Sequence, residues 1–508
     1  MSRYDAIVIG AGVNGLVAAA TLARRGKSVC VVEQRAEPGG MATLSLQDGP
    51  PLAHTLYNLS PSVLEDLGVP RAQDSFHSQP IATVGLCESG RHVVLNGSQA
   101  RFTDGTPHPD TAAVQKLSEQ LMTYGDLLRH LGEQPPPGGV SRISMSAFRQ
   151  MLRLGRLGLK LKGLGKPEMR RFLQLLLSNA HDLILDEIPD GPLAGILAAD
   201  AVRGAAAGPR SPGTVFNLIY RMGHGGVVTY PVSGMQSAMD TCAAAAKALG
   251  CTILTQTQVT QILIENDCVT GVATADGTVL SARLVLAGCS PKRLLEMIGP
   301  DHENIETTRR VRNMRARGTV AKINLELDAP LSIPGLSDDL SGSRLLIAPS
   351  VDYVERAFNP AKYRQMSDHP VIEAVPLNHN GTPWVSMIVQ YAPSDLDQGW
   401  TNAARQDLLR KTTETLARFI PTLPAQITGS QVITPDQIQA ATGSPGGHWH
   451  HAEMTLDQIL TLRPAIGLNR YQMGPKGLFL CGASSHPGGD IMGLAGRNAA
   501  KTALETGS

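Results

Sequence analysis

The chain begins with two short apolar segments on either side of a pattern rich in small residues. Residues 4–9 (YDAIVI) and 28–33 (SVCVVE) are apolar and β-branched, which predicts two buried strands. Residues 16–25 (LVAAATLARR) predict a helix between them, and Gly26 ends it. The order strand, turn, helix, strand is that of a βαβ unit, so we expect a parallel sheet here.

Further strand and helix patterns follow along the chain. Residues 318–329 (GTVAKINLELDA) alternate between apolar and polar side chains, which predicts a strand under the substrate pocket, and residues 385–391 (VSMIVQY) are a second candidate strand. Residues 477–483 predict a strand that enters a glycine-rich turn, and residues 494–504 predict a closing helix. This mixture of strands and helices indicates the α/β class.

Composition limits the range of functions. The 508 residues are 42% hydrophobic and 18% charged, as in ordinary globular proteins, and the net charge of +1 gives no reason to expect nucleic acid. The seven cysteines include no CxxC pair and no zinc spacing, so we expect reduced thiols and no metal site. No apolar run reaches the roughly 18 residues of a membrane-spanning helix. With a strand predicted from Tyr4, we expect no signal peptide and a cytoplasmic protein.

The turn after the first strand reads Gly10-Ala11-Gly12-Val13-Asn14-Gly15, which is the spacing of a dinucleotide-binding loop. Gly10 allows the tight turn, Gly12 lets a pyrophosphate approach the backbone, and Gly15 lets the helix pack closely on the strands. The helix N-terminus directs N–H groups at the phosphates. Glu33, at the end of the second strand, can accept hydrogen bonds from a ribose and disfavours a 2′-phosphate.

The residues after Glu33 decide between NAD and FAD. Residues 33–42 (EQRAEPGGMA) resemble the ExRxxxGG sequence of the two-dinucleotide-binding-domain flavoproteins, although Met41 stands where that family often has Arg. The resemblance implies FAD, whose longer arm needs a second close backbone approach. From this turn and its continuation we expect FAD contacts from Gly10, Gly12, Val13, Asn14, Gly15, Glu33, Gln34, Arg35, Gly39, Gly40, Met41 and Ala42.

Residues 481–500 (CGASSHPGGDIMGLAGRNAA) closely resemble the last motif of phytoene-desaturase-related proteins, including the pyridine nucleotide–disulphide oxidoreductase domain protein 2 group. Residues 208–215 (GPRSPGTV), 231–235 (PVSGM), 254–277 and 286–291 (LAGCSP) resemble further segments of that group. The resemblance implies flavin contacts from the closing turn and further cofactor contacts from two earlier strands. The residues concerned are Gly482, Ala483, Gly489, Asp490, Ile491 and Met492 in the turn, with Val259 at the adenine and Ala287 on the strand that returns to the FAD domain.

The resemblance also implies the architecture. We expect an α/β protein with a Rossmann-like FAD-binding domain of the glutathione-reductase type and an inserted α+β substrate domain. The FAD-binding domain is expected to be discontinuous, over residues 1–75, 225–295 and 465–508. The substrate domain is expected to comprise residues 76–224 and 296–464.

A single dinucleotide motif and no redox cysteine pair argue against a pyridine-nucleotide disulphide reductase. The expected reaction is hydride transfer from a substrate C–H bond to flavin N5, as in a dehydrogenase or desaturase. The resemblance implies a small, neutral, lipophilic (isoprenoid-like) substrate in a mostly apolar pocket, with a quinone or oxygen as electron acceptor. Two other hypotheses stay open: an FAD-dependent amine oxidase, and a non-catalytic FAD-fold interaction protein.

Two polar residues are candidate catalytic residues. His486 lies inside the predicted flavin loop, and Tyr57 lies in a segment, residues 52–60, that passes near the flavin ring in this family. A structural histidine and a packing tyrosine are the respective alternatives. His54, His451 and Arg463 are further polar candidates.

Residues 147–171 carry basic residues at helical spacing beside a stripe of leucines. Such a surface is typical of peripheral contact with an anionic membrane. The alternative is a solvated helix over the substrate pocket, because glycines within this segment weaken a long helix.

Overall fold

The computed structural model describes residues 2–69, 78–136, 163, 165–223 and 226–506. The strands are β1 (Ser2–Arg3), β2 (Ala6–Ile9), β3 (Val29–Val32), β4 (Ser78–Ile81), β5 (Thr83–Gly85), β6 (Val93–Asn96), β7 (Gln99–Phe102), β8 (Val228–Pro231), β9 (Thr252–Leu254), β10 (Val259–Glu265), β11 (Cys268–Thr274), β12 (Val279–Ser281), β13 (Leu284–Ala287), β14 (Val320–Leu327), β15 (Arg344–Ile347), β16 (Ile372–His379), β17 (Thr382–Gln390), β18 (Ile427–Ile433) and β19 (Leu478–Leu480).

The helices are α1 (Val13–Ala23), α2 (Pro61–Leu67), α3 (Thr111–Gly132), α4 (Gly165–Leu177), α5 (Ala180–Glu187), α6 (Pro192–Val202), α7 (Thr214–Met222), α8 (Gly234–Ala248), α9 (Pro291–Ile298), α10 (Ile305–Asn313), α11 (Val351–Phe358), α12 (Asn402–Ala417), α13 (Leu423–Gln426), α14 (Pro435–Thr442) and α15 (Leu494–Thr506). Short 3₁₀ turns lie at Gly40–Thr43, Pro300–His302, Asp338–Leu340, Asn359–Tyr363, Pro445–Gly447 and Leu460–Leu462.

A five-stranded parallel sheet carries the glycine-rich turn, with strand order β19-β13-β2-β3-β9. Alternate residues of its strands enter two different apolar cores: Val8 and Val31 face one, and Ile7 and Val32 face the other. The sheet is therefore covered on both faces, as parallel sheets require. This confirms the predicted βαβ unit and the Rossmann-like α/β class.

Helix α1 returns tightly to the turn that precedes it. A Cβ atom on Gly15 would lie 2.0 Å from the carbonyl oxygen of Gly10, and one on Gly496 of α15 would lie 1.8 Å from that of Asn14. Side chains at these two positions would push α1 away from the turn and from α15. The two glycines thus fix α1 with its N-terminus at the edge where β2, β3 and β13 end.

An eight-stranded mixed sheet, in the order β18-β14-β17-β16-β15-β5-β6-β7, lies in the part of the chain predicted to bind substrate. Strands β14 and β17 confirm the two strands predicted there. On one face, Ala321, Ile323 and Leu325 pack into an apolar core that includes residues of α12. The alternate residues of β14, such as Lys322, belong to the opposite face, which borders a cavity.

Two smaller sheets complete the strands: β1-β12-β11-β10 and the pair β4-β8. The strands of the parallel sheet come from residues 6–32, 252–287 and 478–480, and those of the eight-stranded sheet come from residues 83–102 and 320–433. The two sheets thus draw on different stretches of chain. The exact domain boundaries stay predictions.

The segment expected at a membrane is only partly covered. Its residues 147–162 and 164 lie outside the described residues, and residues 165–171 belong to α4. Among the helices that the structure describes, none combines the length and the apolar character needed to cross a bilayer.

Candidate active site

A cavity of about 960 Å³ runs from the glycine-rich turn to the eight-stranded sheet. Its wall combines the carboxyl ends of the parallel strands with loops, with α14 and with the free face of β14 and β17. Of the predicted FAD contacts, those that line it are Gly10, Gly12, Val13, Asn14, Gly15, Glu33, Gln34, Arg35, Gly39, Gly40, Met41, Ala42, Val259, Ala483, Asp490 and Ile491. A volume of this size is at the upper end of small-molecule sites, which hold about 300–1,000 Å³.

The turn end of the cavity forms a narrow backbone cradle. Gly12 and Gly40 approach so closely that a Cβ atom on Gly40 would lie 2.8 Å from the Cα atom of Gly12. The carboxylate of Glu33, which is almost fully buried, accepts the backbone N–H of Ala11 at 2.7 Å and that of Arg35 at 3.0 Å. Each of its oxygens keeps a lone pair for a further donor, such as a ribose hydroxyl.

The cradle fits FAD. Asn14 lines the cavity, and its buried Oδ1 finds no hydrogen-bond partner among the described residues. Such an unpaired atom is costly unless a ligand satisfies it. Lys292, in the first turn of α9, also lines the cavity and adds positive charge, whereas Arg293 beside it pairs with Glu296. Positive charge and free backbone N–H groups favour a pyrophosphate.

Four predicted contacts lie off the cavity wall: Ala287, Gly482, Gly489 and Met492. For the two glycines the structure supplies other reasons. A Cβ atom on Gly482 would lie 2.4 Å from the carbonyl oxygen of Gly288, and one on Gly489 would lie 1.9 Å from Nδ1 of His450. The two glycines therefore allow the close packing that positions the closing turn, whereas Ala483, Asp490 and Ile491 of the same turn line the cavity.

His486 lies away from the cavity wall, although it belongs to the same turn. Its ring is buried, with Nδ1 3.2 Å from the carbonyl oxygen of Leu460 and Nε2 3.1 Å from that of Leu131. Burial lowers its pKa. These contacts tie the closing turn to α3, so a direct part in catalysis has no support in the surroundings of His486.

Tyr57 lines the cavity, and its ring is held firmly. The guanidinium of Arg203 lies 3.8 Å from the ring centroid, and the hydroxyl donates to Oε2 of Glu373 at 3.3 Å. Burial raises the pKa of Tyr57 to about 12. The residue therefore stays a neutral phenol that lines the cavity and donates a hydrogen bond to Glu373.

A line of polar side chains crosses the sheet end of the cavity. Nζ of Lys322 lies 3.0 Å from Nδ1 of His54, and Nε2 of His54 lies 3.0 Å from Oε1 of Glu373. Burial lowers the pKa of Lys322 to about 7 and, together with the neighbouring Lys322, lowers that of His54 to about 3. Lys322 is thus a buried amine that exchanges a proton near neutral pH.

Glu373 remains ionised despite its burial. Burial alone would raise the pKa of its carboxyl, but Arg203 and Arg344 outweigh that effect and hold the pKa well below its usual range. Arg203 binds it through two nitrogens at 2.9 and 3.1 Å, and Arg344 donates to it at 2.8 and 3.0 Å. Arg344 also pairs with Asp200 at 2.7 Å.

Two other polar candidates differ in their positions. His451 lines the cavity, and burial together with the neighbouring Arg463 lowers its pKa to about 4. Arg463 is fully buried and donates to main-chain carbonyls, among them those of Glu453, His450 and Ala483. It therefore holds residues 450–463 against the closing turn.

The wall is more polar than the sequence predicts. Arg203 and Lys322 line the cavity in addition to the candidates His54 and His451, so this end is more polar than the mostly apolar pocket that the resemblance implies. Arg203 directly follows the apolar helix α6, which gives no local signal of a site. Lys322 had a signal: it is a polar residue on the alternating strand that was predicted to lie under the pocket.

Comparisons with known proteins agree with this geometry. The model of the family described as flavin containing amine oxidoreductase matches residues 14–504. The chain is 29% identical to pyridine nucleotide-disulfide oxidoreductase domain-containing protein 2 of Rattus norvegicus, over 98% of this chain and 93% of that protein. It is 22% identical to the lycopene-forming phytoene desaturase of a Paracoccus species, over 97% and 95% of the two chains. Cyclohexylamine oxidase from Brevibacterium oxydans shares the fold, with a TM-score of 0.55 and 16% identity over 99% of this chain and 98% of its own.

Proposed function

The chain belongs to the family of flavin containing amine oxidoreductases, and we propose that it is a dehydrogenase or desaturase of an uncharged, lipophilic substrate. It is an FAD-dependent oxidoreductase. When bound, FAD accepts the hydride, that is, one hydrogen with both electrons of the broken C–H bond. The second hydrogen leaves as a proton, and uncharged Lys322 is the acceptor that the cavity wall offers.

The observation that carries the proposal is the sign of the charges at the sheet end of the cavity. Arg203 and Lys322 line this wall, and the carboxylate behind them, Glu373, is engaged by two arginines. Asp490 accepts a hydrogen bond from Asn58 at 2.7 Å. An ammonium substrate would therefore meet the guanidinium of Arg203 and, in the described part of this wall, only carboxylates that already have partners.

Between the polar groups the wall is apolar. Val320, Ala321 and Ile388 of the sheet, together with Leu52, line the same cavity. A neutral hydrocarbon chain gains from burial against such side chains without leaving a charge desolvated. The similarity to a phytoene desaturase over nearly the whole chain supports this substrate class.

We further propose a quinone or oxygen as the acceptor that reoxidises the enzyme. The chain has one dinucleotide motif, at Gly10–Gly15, and we assign it to FAD, which leaves no second motif for NAD. A quinone takes up the two electrons and two protons of each turnover and becomes a quinol. Oxygen takes up the same number and becomes peroxide.

Anaerobic mixing of the FAD-loaded enzyme with geraniol and with geranylamine tests the substrate charge on one carbon skeleton. We expect the visible absorbance of oxidised flavin to be lost with the neutral compound and a product that lacks two hydrogens. Faster bleaching by geranylamine would overturn the proposal.

Amine oxidation is the second candidate, and Lys322 is the observation that favours it. An uncharged lysine can take the proton of an ammonium substrate and leave the neutral amine that loses hydride more readily. The shared fold with an enzyme that oxidises cyclohexylamine is compatible with this. The paired mixing experiment above decides between the two candidates.

A further inference from the structure

We propose that His54 and Glu373 are positioning residues for Lys322: the Glu373 carboxylate sets the tautomer of His54, and His54 Nδ1 then holds Lys322 Nζ at the cavity. The inference rests on the proposed function only in naming Lys322 as the proton acceptor. The geometry itself is independent of the identity of the substrate.

The tautomer of His54 follows from its partners. An ionised carboxylate has no proton to donate, so Nε2 of His54 must donate to Glu373 across the 3.0 Å contact. In a neutral imidazole the other nitrogen is then an acceptor. Ser386 Oγ, 3.3 Å from that nitrogen, donates its hydrogen to Asn324 Oδ1 at 3.1 Å. Nδ1 is left to accept from Lys322 Nζ, which is 3.0 Å away.

The same arrangement explains why Lys322 faces the cavity rather than a carboxylate. Glu373 is already engaged by Arg203, Arg344 and the Tyr57 hydroxyl, and the imidazole lies between it and the lysine. The amine is thereby held by a neutral acceptor instead of a direct ion pair. It keeps its uncharged form accessible, and its lone pair can take a proton from the cavity side.

The charged groups around Lys322 act in opposite directions. Glu373, on β16, favours the ammonium form, whereas Arg203, from the end of α6, and burial disfavour it. His54, from the loop before α2, is neutral, and the facing residues of β17, Ser386 and Ile388, carry no charge. Of the two ionised groups whose charge acts on the pKa of Lys322, only Glu373 raises it, and the ring of His54 lies between Glu373 and the lysine.

Lysine NMR gives a readout that needs no substrate. The experiment uses FAD-loaded protein with isotope-labelled lysine. The signal that is lost in Lys322→Met belongs to Lys322, and following it with pH gives the midpoint at which this lysine is half protonated. We expect a midpoint of about 7 in the wild type. In Glu373→Gln, which keeps the shape and removes the charge, we expect the midpoint to fall by about one pH unit or more.

Two replacements of His54 separate the two contacts. Gln places its amide near the position of Nε2 and retains a donor for Glu373, but it leaves Lys322 without its acceptor. Asn places its oxygen near the position of Nδ1 and retains that acceptor. We expect the Lys322 midpoint to fall in His54→Gln and to stay near the wild-type value in His54→Asn.

Glu326→Gln is the matched control, because it removes a carboxylate from the same strand face without touching His54. It should leave the Lys322 midpoint in place. Unchanged midpoints in both Glu373→Gln and His54→Gln would overturn the inference. Lys322, His54 and Glu373 would then form only a structural cluster. If Glu373→Gln fails to fold, the pair of His54 variants still decides. Flavin reduction by geraniol and geranylamine tests the proposed function, whereas the Lys322 midpoints test the positioning of the lysine without substrate. The failure of one proposal is therefore distinguishable from the failure of the other.

Discussion

Lys322 and Glu373 stand opposite the same residue, Ile388, on the two sides of strand β17. Side chains at paired positions of neighbouring strands share a face, so both lie on the face of the sheet that borders the cavity. Two strand spacings separate their backbones by about 10 Å. The ring of His54, from the loop before α2, bridges this gap. The sheet register therefore sets the positions of the two residues, and His54 connects them.

Lys322→Met should stabilise the protein most at low pH. The pKa of Lys322 falls from 10.5 to about 7 on folding. Above pH 10.5 neither state carries the charge. As the pH falls towards 7, the unfolded chain gains a proton that the folded protein refuses, so the wild type loses stability. The advantage of the variant should thus be largest below pH 7 and shrink by on the order of 4 kcal/mol towards pH 10.5.

Chemical denaturation over this pH range, with FAD in excess, measures the free energy of unfolding. Lys362→Met, on the surface, is the control and should show no comparable trend. A difference between Lys322→Met and the wild type that stays constant with pH would contradict a buried lysine that is mostly uncharged above neutrality.

Gly12→Val should abolish FAD binding while leaving the fold intact. A Cβ atom at this position meets only the Cα atom of Gly40, at 3.5 Å, and its nitrogen, at 4.0 Å, so the apoprotein tolerates it. The methyl groups of valine would occupy the space over the turn that a pyrophosphate needs. FAD content after reconstitution measures the loss, and thermal unfolding checks the fold. Gly342→Val, at a position with open space around it, should retain FAD. Full FAD content in Gly12→Val would disprove the assignment of the turn.

The parts of the fold that were predictable are those with local signals. Gly10, Gly12, Gly15 and Glu33 lie within one βαβ unit, where each residue has its own steric or hydrogen-bonding reason. Strand β14 was predictable because its side chains alternate. Both signals arise from neighbours in the chain, and both are confirmed.

No local sequence signal predicted that His54, Lys322 and Glu373 would lie together. Their contacts join His54 to residues 268 and 319 positions further along the chain. Only the pairing of β14 with β17, and of β17 with β16, brings Lys322 and Glu373 to one face. The sequence showed His54 as a polar candidate, but its partners depend on that register. The closing turn differs again: its motif was recognisable, yet Gly489 is required by the ring of His450.

Gly489→Ala should disturb the flavin environment through His450. The added Cβ atom would meet Nδ1 of His450 at 1.9 Å, and this nitrogen accepts the backbone N–H of Asp490 at 3.1 Å. Either the ring or the turn must move, and Asp490 lines the cavity. We expect a shifted flavin absorbance spectrum and weaker FAD retention, with Gly342→Ala as the neutral control. An unchanged spectrum and full retention would mean that the turn does not act on the flavin.

His486→Gln should lower stability without changing the bound flavin. The neutral ring lies between the carbonyls of Leu460 and Leu131 and donates its one N–H to one of them, whereas the flexible glutamine amide does not hold a donor at the same position. The loss of one buried hydrogen bond costs about 1–3 kcal/mol. Thermal unfolding should therefore shift to lower temperature, while the flavin spectrum and the rate of flavin reduction by the substrate stay at wild-type values. A reduction rate that falls by about tenfold or more, corresponding to about 1.4 kcal/mol in the barrier, would instead restore His486 as a catalytic residue and require the closing turn to move in the working enzyme.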